Sequence, residues 1–519
     1  MTRKAESGRG RAAGRVGAGI FLSRLLGFVR DRVFAHFFGT SEFADAWRAA
    51  LRTPNVIQNL LGEGTLSASF IPVYAEFLEQ GREEEAGRFA GAVLGILTAV
   101  AAGLALVGMV AAPWLVDLFF FEWDADKQAL TVELVRILFP MTAVLVVSAW
   151  ALGVLNSHRR FFVSYVAPVA WSVAQIAAMV AGALWWSMDG RDLVVALAWG
   201  ALAGGVLQFG VQLPFVVGLL RGFRLSLGRR VAGVREAVAA FVPVVMARGV
   251  VNLSGWADVV LAAMLAEGAV AVLGYAQTFY VLPISLFGMS VAASELPELS
   301  RMRSQDREVL AGRVAHALRT VSFFVIPSVV GYLLLGDVIV AALFQTGAFD
   351  TAQSLVTWAV LAGYTLGLAA STRSRVLSSA FYALRDTRTP ARVATLRVVV
   401  SALVGVALMF PLDRYGFPTL RLGAMGLALG ASVGAWLEYG LLTRALRNRV
   451  GSHGPGSGPL VRMTLAAVVA GATGVLLQVV LPPSHPAVVG LETLLAFGVV
   501  YLGLARLLGV DQPLRRRTR

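Results

Sequence analysis

Stretches of about twenty apolar residues recur along nearly the whole chain, and each is long enough to cross a hydrocarbon layer of about 30 Å as a helix. They lie near 16–38, 42–77, 88–121, 130–155, 162–187, 192–220, 235–265, 268–299, 314–345, 353–382, 390–411, 422–447, 461–482 and 487–508. The second and the seventh to tenth exceed one bilayer thickness, so breaks or tilts are expected there. A composition of 57% hydrophobic and 15% charged residues excludes a soluble domain. The expected class is an all-α polytopic membrane protein with about 14 transmembrane helices.

A net charge of +14 could point to nucleic acid, but the basic residues sit in alternate short loops, the pattern that sets membrane orientation. One set holds 3–15, 158–160, 221–235, 301–313, 385–392, 444–449 and 515–517. The intervening loops, such as 122–126 and 482–486, are acidic or nearly uncharged, with Arg414 and Arg421 the main exceptions. Both termini are therefore expected in the cytoplasm, and no nucleic-acid partner is expected. The first apolar stretch follows a basic segment as a signal peptide would, but charges interrupt it and no small-residue cleavage site follows, so it reads as a retained helix. Cysteine is absent, which excludes disulfides and thiol chemistry. With no His-x-x-x-His pair, nucleophile elbow or phosphate-binding loop, neither an enzyme nor a bound cofactor is expected.

The chain contains two copies of one unit. Gly39 and Pro54 recur as Gly268 and Pro283, an offset of 229 residues, and the same offset relates the turns at 155–159 and 384–388. At an offset of 230, 197–201 resembles 427–431, and the likeness continues through Gly204/Gly434, Leu207/Leu437 and Gly210/Gly440. Each copy spans six helices, an even number, so both share one orientation about an axis along the membrane normal. The expected organisation is a basic N-terminus (1–15), an N-lobe (16–225), a C-lobe (226–450), a Gly/Ser/Pro linker (451–459), a terminal helix pair (460–508) and a basic tail (509–519). Two pseudo-symmetric six-helix lobes facing one another across a cleft are a transporter arrangement.

Charges inside the apolar stretches indicate what is carried. Each ionised side chain at mid-membrane costs roughly 2.5–3.5 kcal/mol on insertion scales, so a dense cluster must face a polar interior. Arg24, Arg30, Asp31, Asp45, Arg48, Arg52 and Glu63 all fall in the first two stretches. On an ideal helix Arg24 and Asp31 share a face, while Arg30 lies about 120° away unless Gly27 bends the helix. Such a cavity suits a large anion, because guanidinium binds phosphate bidentately and never loses its charge. The bland reading is snorkelling arginines with Asp31 as a structural partner of Arg24. Position is the evidence rather than residue type, since Lys4 and Lys127 are the only lysines.

The segments Ser23-Arg24-Leu25-Leu26-Gly27-Phe28-Val29-Arg30-Asp31, Asp45-Ala46-Trp47 and 54–73, from Pro54-Asn55 through Gly62-Glu63-Gly64 to Pro72-Val73, resemble the signature of the MurJ/MviN lipid II flippases. Further likenesses are Gly204-Gly205-Val206-Leu207-Gln208 with Gln212-Leu213-Pro214, and 381–390. The resemblance covers essentially the full chain. It implies a MATE-like fold of the MOP exporter superfamily, in the bacterial cytoplasmic (inner) membrane. The implied substrate is lipid II, an undecaprenyl-diphosphate muropeptide moved from the inner to the outer leaflet for cell-wall synthesis. The expected partners are lipid II, membrane lipids and cell-wall synthesis enzymes. By position, Arg24 and Arg30 resemble the family's cavity arginines, Asp45 its acidic residue on the second helix, and Glu63 the acid of its Glu-Gly turn. Gln58 and Thr278 stand where the family often has arginine, so Arg52 and Arg248 are candidates to replace them. Asp258 resembles the location of a coupling-cation ligand, with the membrane potential as the other expected drive. Two alternatives are an exporter of another polyprenyl-linked oligosaccharide or drug, and a non-transporting lipid II-binding scaffold. A membrane transferase is more remote, for want of an acidic metal cluster.

Overall fold

The computed structural model describes residues 2–228, 230–301, 307–414, 421–480 and 485–510, and among these nearly all are helical. The helices are α1 (Thr2–Phe38), α2 (Glu42–Leu61), α3 (Glu63–Glu79), α4 (Glu83–Phe119), α5 (Ala125–Ser157), α6 (Phe161–Trp185), α7 (Gly190–Val217) and α8 (Val234–Ala263). They continue with α9 (Ala269–Pro283), a π-helical segment Ile284–Met289, α10 (Ser290–Arg301), α11 (Arg307–Phe344), α12 (Thr351–Ala383), α13 (Arg388–Arg414), α14 (Gly423–Val450), α15 (Ser457–Val480) and α16 (Pro486–Leu507). Eleven helices among the described residues are long and apolar enough to cross a membrane. The other three expected passages are α1, the α2–α3 pair and α8, which carry the intramembrane charges or a break.

Both second passages become irregular after the repeated proline, at once in the second copy and two turns later in the first. Proline supplies no N–H to the preceding turn, which weakens the helix there. In the first copy the helix breaks at Gly62, whose N–H reaches Gln58 O at 2.8 Å. A side chain at Gly62 would run into that same carbonyl. In the second copy the π segment starts directly after Pro283. The repeat is also visible in helix ends. Arg160 N bonds Leu155 O at 2.8 Å and Arg159 N bonds Asn156 O at 3.0 Å, while Asp386 N bonds Phe381 O and Arg385 N bonds Tyr382 O, both at 2.9 Å. These are matching Schellman caps, with Arg159 (φ 59°) and Arg385 (φ 60°) in the left-handed position that glycine usually fills. The register here is therefore 226 residues, since α5 and α12 begin at Ala125 and Thr351 and have equal lengths of 33 residues. The sequence match of 155–159 with 384–388 is three residues out of step with it, because shared Leu and Arg align more readily than the cap geometry does.

Packing divides the chain into two compact units, Met1–Met264 and Leu265–Arg519. In the first, α1 packs on α6, α5 packs on α2, α4 and α7, and α8 packs on α2 and α3. The repeat boundary after residue 225 and this packing boundary differ by one helix, α8, because one follows the copied sequence and the other the contacts. In the second unit α12 lies against α9, α11 and α14, and the pair α15–α16 packs on α11. Small residues bring helix axes close. Gly204 on α7 meets Trp171 and Ala174 on α6, and Gly434 on α14 meets Arg397 and Ser401 on α13, which preserves the offset of 230 found in the sequence.

Three prolines each leave a carbonyl four residues earlier without its helical donor, and a side chain from a neighbouring helix supplies one in each case. Pro113 frees Met109 O, which accepts from Arg136 Nε at 3.4 Å. Pro283 frees Phe279 O, which accepts from the Tyr332 hydroxyl at 3.0 Å. Pro327 frees Phe323 O, which accepts from the Tyr501 hydroxyl at 2.6 Å. An orphaned carbonyl in hydrocarbon costs several kcal/mol, so these side chains fasten helix to helix as well as satisfying the backbone.

Asp45 on α2 and Lys127 on α5 form a buried ion pair, Nζ to Oδ2 at 2.9 Å, with residue exposures of 1% and 5%. Lys127→Ala is expected to remove the buried ammonium from the Asp45 carboxylate and lower stability by about 3–5 kcal/mol. Thermal unfolding of the purified protein measures this, and a loss below about 1 kcal/mol, the value of an exposed pair, overturns it. For the repeat, Arg159→Cys and Arg385→Cys, made singly in this cysteine-free chain, are expected to react with an impermeant thiol reagent from the same side of the membrane. Labelling from opposite sides would refute a shared orientation.

Candidate functional site

The charged residues of the first unit separate into three groups. The first is built on α1. Arg30, Asp31 and Phe34 of α1 enclose a small cavity of about 30 Å³ together with Trp47, Arg48 and Leu51 of α2, Gln175 and Met179 of α6 and Leu197 of α7. Arg30 donates through Nε and Nη2 to Asp31 Oδ1 at 3.1 and 2.8 Å, and its guanidinium lies 5.0 Å from the centre of the Trp171 ring. The Arg48 guanidinium sits 5.3 Å from the Phe34 ring. Aromatic faces attract cations by about 0.5–2 kcal/mol, so the rings hold these arginines in place without neutralising them. Asp31 is thus the partner of its neighbour Arg30, which corrects the helical-wheel pairing with Arg24: a long guanidinium folds back along the helix and reaches a group on another face. Arg24 lies nearly two turns earlier and is exposed.

The second group surrounds the α2–α3 break. The Arg52 guanidinium of α2 presses on Gly255 of α8, and the Arg248 guanidinium of α8 presses on Gly64 of α3. A side chain at either glycine would displace the arginine's guanidinium from its seat. Arg248 also stands within electrostatic reach of Glu63, the exposed first residue of α3. Asp258 lies three residues beyond Gly255 on α8, so one turn separates it from the seat of Arg52. Arg52, Glu63 and Arg248, with Asp258 near them, are therefore gathered at one helix seam, although the sequence spreads them over two apolar stretches.

At the two departures from the family pattern no cation is present. The Gln58 carbonyl is taken by Gly62 N, and the Thr278 hydroxyl donates to Gly274 O at 3.1 Å within its own helix. Among the described residues no group of three or more His, Cys, Asp or Glu side chains could hold a metal ion.

The third group is Asp45 with Lys127. It stands apart from the α1 cavity, because the Asp45 carboxylate is engaged by Lys127, whose ammonium lies 4.2 Å from the centre of the Trp123 ring. Trp123 in turn donates from Nε1 to Ala263 O, the end of α8, at 3.0 Å. Phe119 packs edge-on against Trp256 of α8 at 4.2 Å. One loop thus ties the start of α2 to the end of α8. Lys127 and Trp171 were not identified from sequence. For Lys127 a signal existed, since it is a lone lysine within an acidic loop in a chain that otherwise uses arginine. For Trp171, one aromatic residue among many, there was none.

In the second unit the buried charges are paired or capped. Arg313 donates to Glu295 at 2.5 Å, linking α10 to α11, and Arg397 donates to Glu438 at 2.6 Å, linking α13 to α14. Arg373 is held by Ser322 at 3.0 Å from its Nε and lies under the Tyr439 ring.

A family model described as lipid II flippase MurJ matches residues 34–496. A relative named lipid II flippase MurJ, from Burkholderia cenocepacia, is 33% identical over 458 residues, covering 86% of each chain. One named probable lipid II flippase MurJ, from Rhizobium tropici, is 31% identical over 526 residues, covering 97% of this chain and 95% of the relative. Among solved structures, a lipid II flippase MurJ in an inward closed conformation shares the fold with a TM-score of 0.75 at 22% identity, over 95% of this chain and 98% of that one. An inward-facing multidrug resistance MATE family transporter of the MOP superfamily matches with a TM-score of 0.65 at 17% identity, over 85% of this chain and 98% of the other. With residues 34–496 matched by the family model and a 33% identical relative covered over 86% of its length, the chain belongs to the lipid II flippase MurJ family.

Proposed function

We propose that this protein is a lipid II flippase, moving the undecaprenyl-diphosphate muropeptide from the inner to the outer leaflet by alternating access. The observation that carries the reading is the gathering of permanent cations on α1, α2 and α8, within helices that otherwise suit hydrocarbon. A diphosphate carries the charge that such a set needs, and its disaccharide-pentapeptide calls for a polar passage while the prenyl chain stays in lipid. No covalent step is required, so the protein acts as a transporter and not as an enzyme. It resides in the bacterial inner membrane with both termini in the cytoplasm, and enzymes of cell-wall synthesis take up its product.

In this reading Arg24 and Arg30 bind the diphosphate, with Asp31 orienting Arg30. Arg52 and Arg248 provide the charge absent at Gln58 and Thr278, and the nearness of exposed Arg248 to Glu63 lets substrate phosphate replace carboxylate. Asp45 holds α2 through Lys127 and takes no direct part in binding. Asp258 is the proposed ligand of a coupling cation, the membrane potential being the other available drive.

Arg24→Ala and Arg30→Ala are each expected to abolish growth of a flippase-depleted bacterium while the protein still accumulates in the membrane. Full growth with both variants would refute the role, and growth with Arg30→Lys but not Arg30→Ala would identify charge as the property required. Arg52→Gln and Arg248→Gln are expected to weaken lipid II binding by roughly tenfold to a hundredfold each, the equivalent of about 1.5–3 kcal/mol for a desolvated charged hydrogen bond. Exposed Arg444→Gln serves as the control. Binding and flipping equal to the parent in both variants would show that Arg24 and Arg30 suffice.

A further inference from the structure

The segment that follows α7 lies along α4 in a groove made of glycine. Gly87, Gly91 and Gly95 recur every four residues on one side of α4, and the carbonyls of Arg221, Arg224 and Ser226 rest on them in that order. Any side chain at these glycines would displace backbone, so the stripe is matched to an extended strand. Phe223 also approaches Trp150, with ring centroids 6.3 Å apart. Residues 221–228 are therefore a strap fixed to α4 over more than two helical turns.

The strap's outward side is amphipathic. Ser226 faces α4, and its neighbours Leu225 and Leu227 point away, 66% and 65% exposed. Arg224 and Arg230 are exposed as well, and no carboxylate among the described residues pairs with either. The adjacent acids are already neutralised: Glu83 pairs with Arg221, Glu84 with Arg88 and Glu85 with Arg82. Continued along α4 by threes and fours, the glycine stripe becomes Thr98, Ala102 and Leu106, all exposed. On a membrane-crossing helix, an exposed apolar stripe of this kind faces lipid. The strap accordingly covers the inner end of a lipid-facing surface and presents Leu225, Leu227 and Arg224 in its place, with Arg230 just beyond its end.

We propose that this strap docks on anionic phospholipid of the inner leaflet, with Leu225 and Leu227 entering the acyl border and Arg224 and Arg230 binding headgroup phosphate. The leaflet assignment rests on the orientation proposed above, whereas the lipid contact does not. Apolar anchoring and basic attraction are each weak alone, and together they give stable interfacial binding.

The test uses full-length protein in nanodiscs free of lipid II, so that its outcome is independent of flippase activity. Leu227→Cys, and separately Leu225→Cys, would be labelled with an environment-sensitive fluorophore. The emission is expected to be blue-shifted and to be quenched by brominated phosphatidylglycerol in preference to brominated phosphatidylcholine. Adding Arg224→Gln and Arg230→Gln is expected to reduce that preference by up to about thirtyfold at low salt, from roughly fivefold per arginine. Water-like emission without quenching at both positions, or equal quenching by the two lipids in the parent, would overturn the proposal.

Discussion

Hydrocarbon offers no hydrogen bonds, so every polar group placed in it must find its partner within the protein. That single constraint explains the long helices, and it also explains the exceptions. Where a proline releases a carbonyl, Arg136, Tyr332 or Tyr501 reaches across from another helix to occupy it. Where a charge is enclosed it is paired, as Asp45 is by Lys127 and Glu438 by Arg397, or laid against an aromatic ring, as Arg30 is against Trp171. Pairs of this kind contribute little net stability, because the cost of removing both charges from water offsets most of their attraction. Their effect is to make one helix arrangement far better than its alternatives.

The same constraint separates structural charge from charge available for a substrate. Asp45 and Lys127 are sealed and have a fixed task. Glu63 and Arg248 lie at a helix break, within electrostatic reach of one another yet exposed. Exposed charges in that setting can change partners at modest cost, which a buried pair cannot. The break at Gly62 matters for this reason: it places the start of α3, with Gly64, against the Arg248 guanidinium of α8.

Much of this was legible in sequence. Hydropathy alone located the eleven helices that are long and apolar enough to cross a membrane, and the three other expected passages are those that carry charge or the Gly-Glu-Gly turn. The glycines Gly204 and Gly434 kept their sequence register in the packing. Other features could not be read. A helical wheel reports the direction of a Cβ but not the reach of an arginine, so the pairing of Asp31 with Arg30 escaped it. Asp45 and Lys127 are 82 residues apart, and only the folded chain makes them neighbours. The seating of Arg248 against Gly64 and of Arg52 against Gly255 joins α8 to α3 and α2, and no periodicity encodes it.

The bond from Tyr501 to Phe323 O changes how the last two helices should be regarded. They lie outside the duplicated six-helix unit, and on that ground they resemble an appendage that could be trimmed from a minimal transporter. Yet Pro327 sits in α11, a member of the repeat, and the carbonyl it frees is satisfied from α16. Pro327 and the appended pair are thus mutually dependent: a shortened chain that keeps this proline would expose a bare backbone carbonyl to lipid. Any compact redesign of the protein would have to restore a residue with an N–H at position 327 before the terminal helices could be dispensed with.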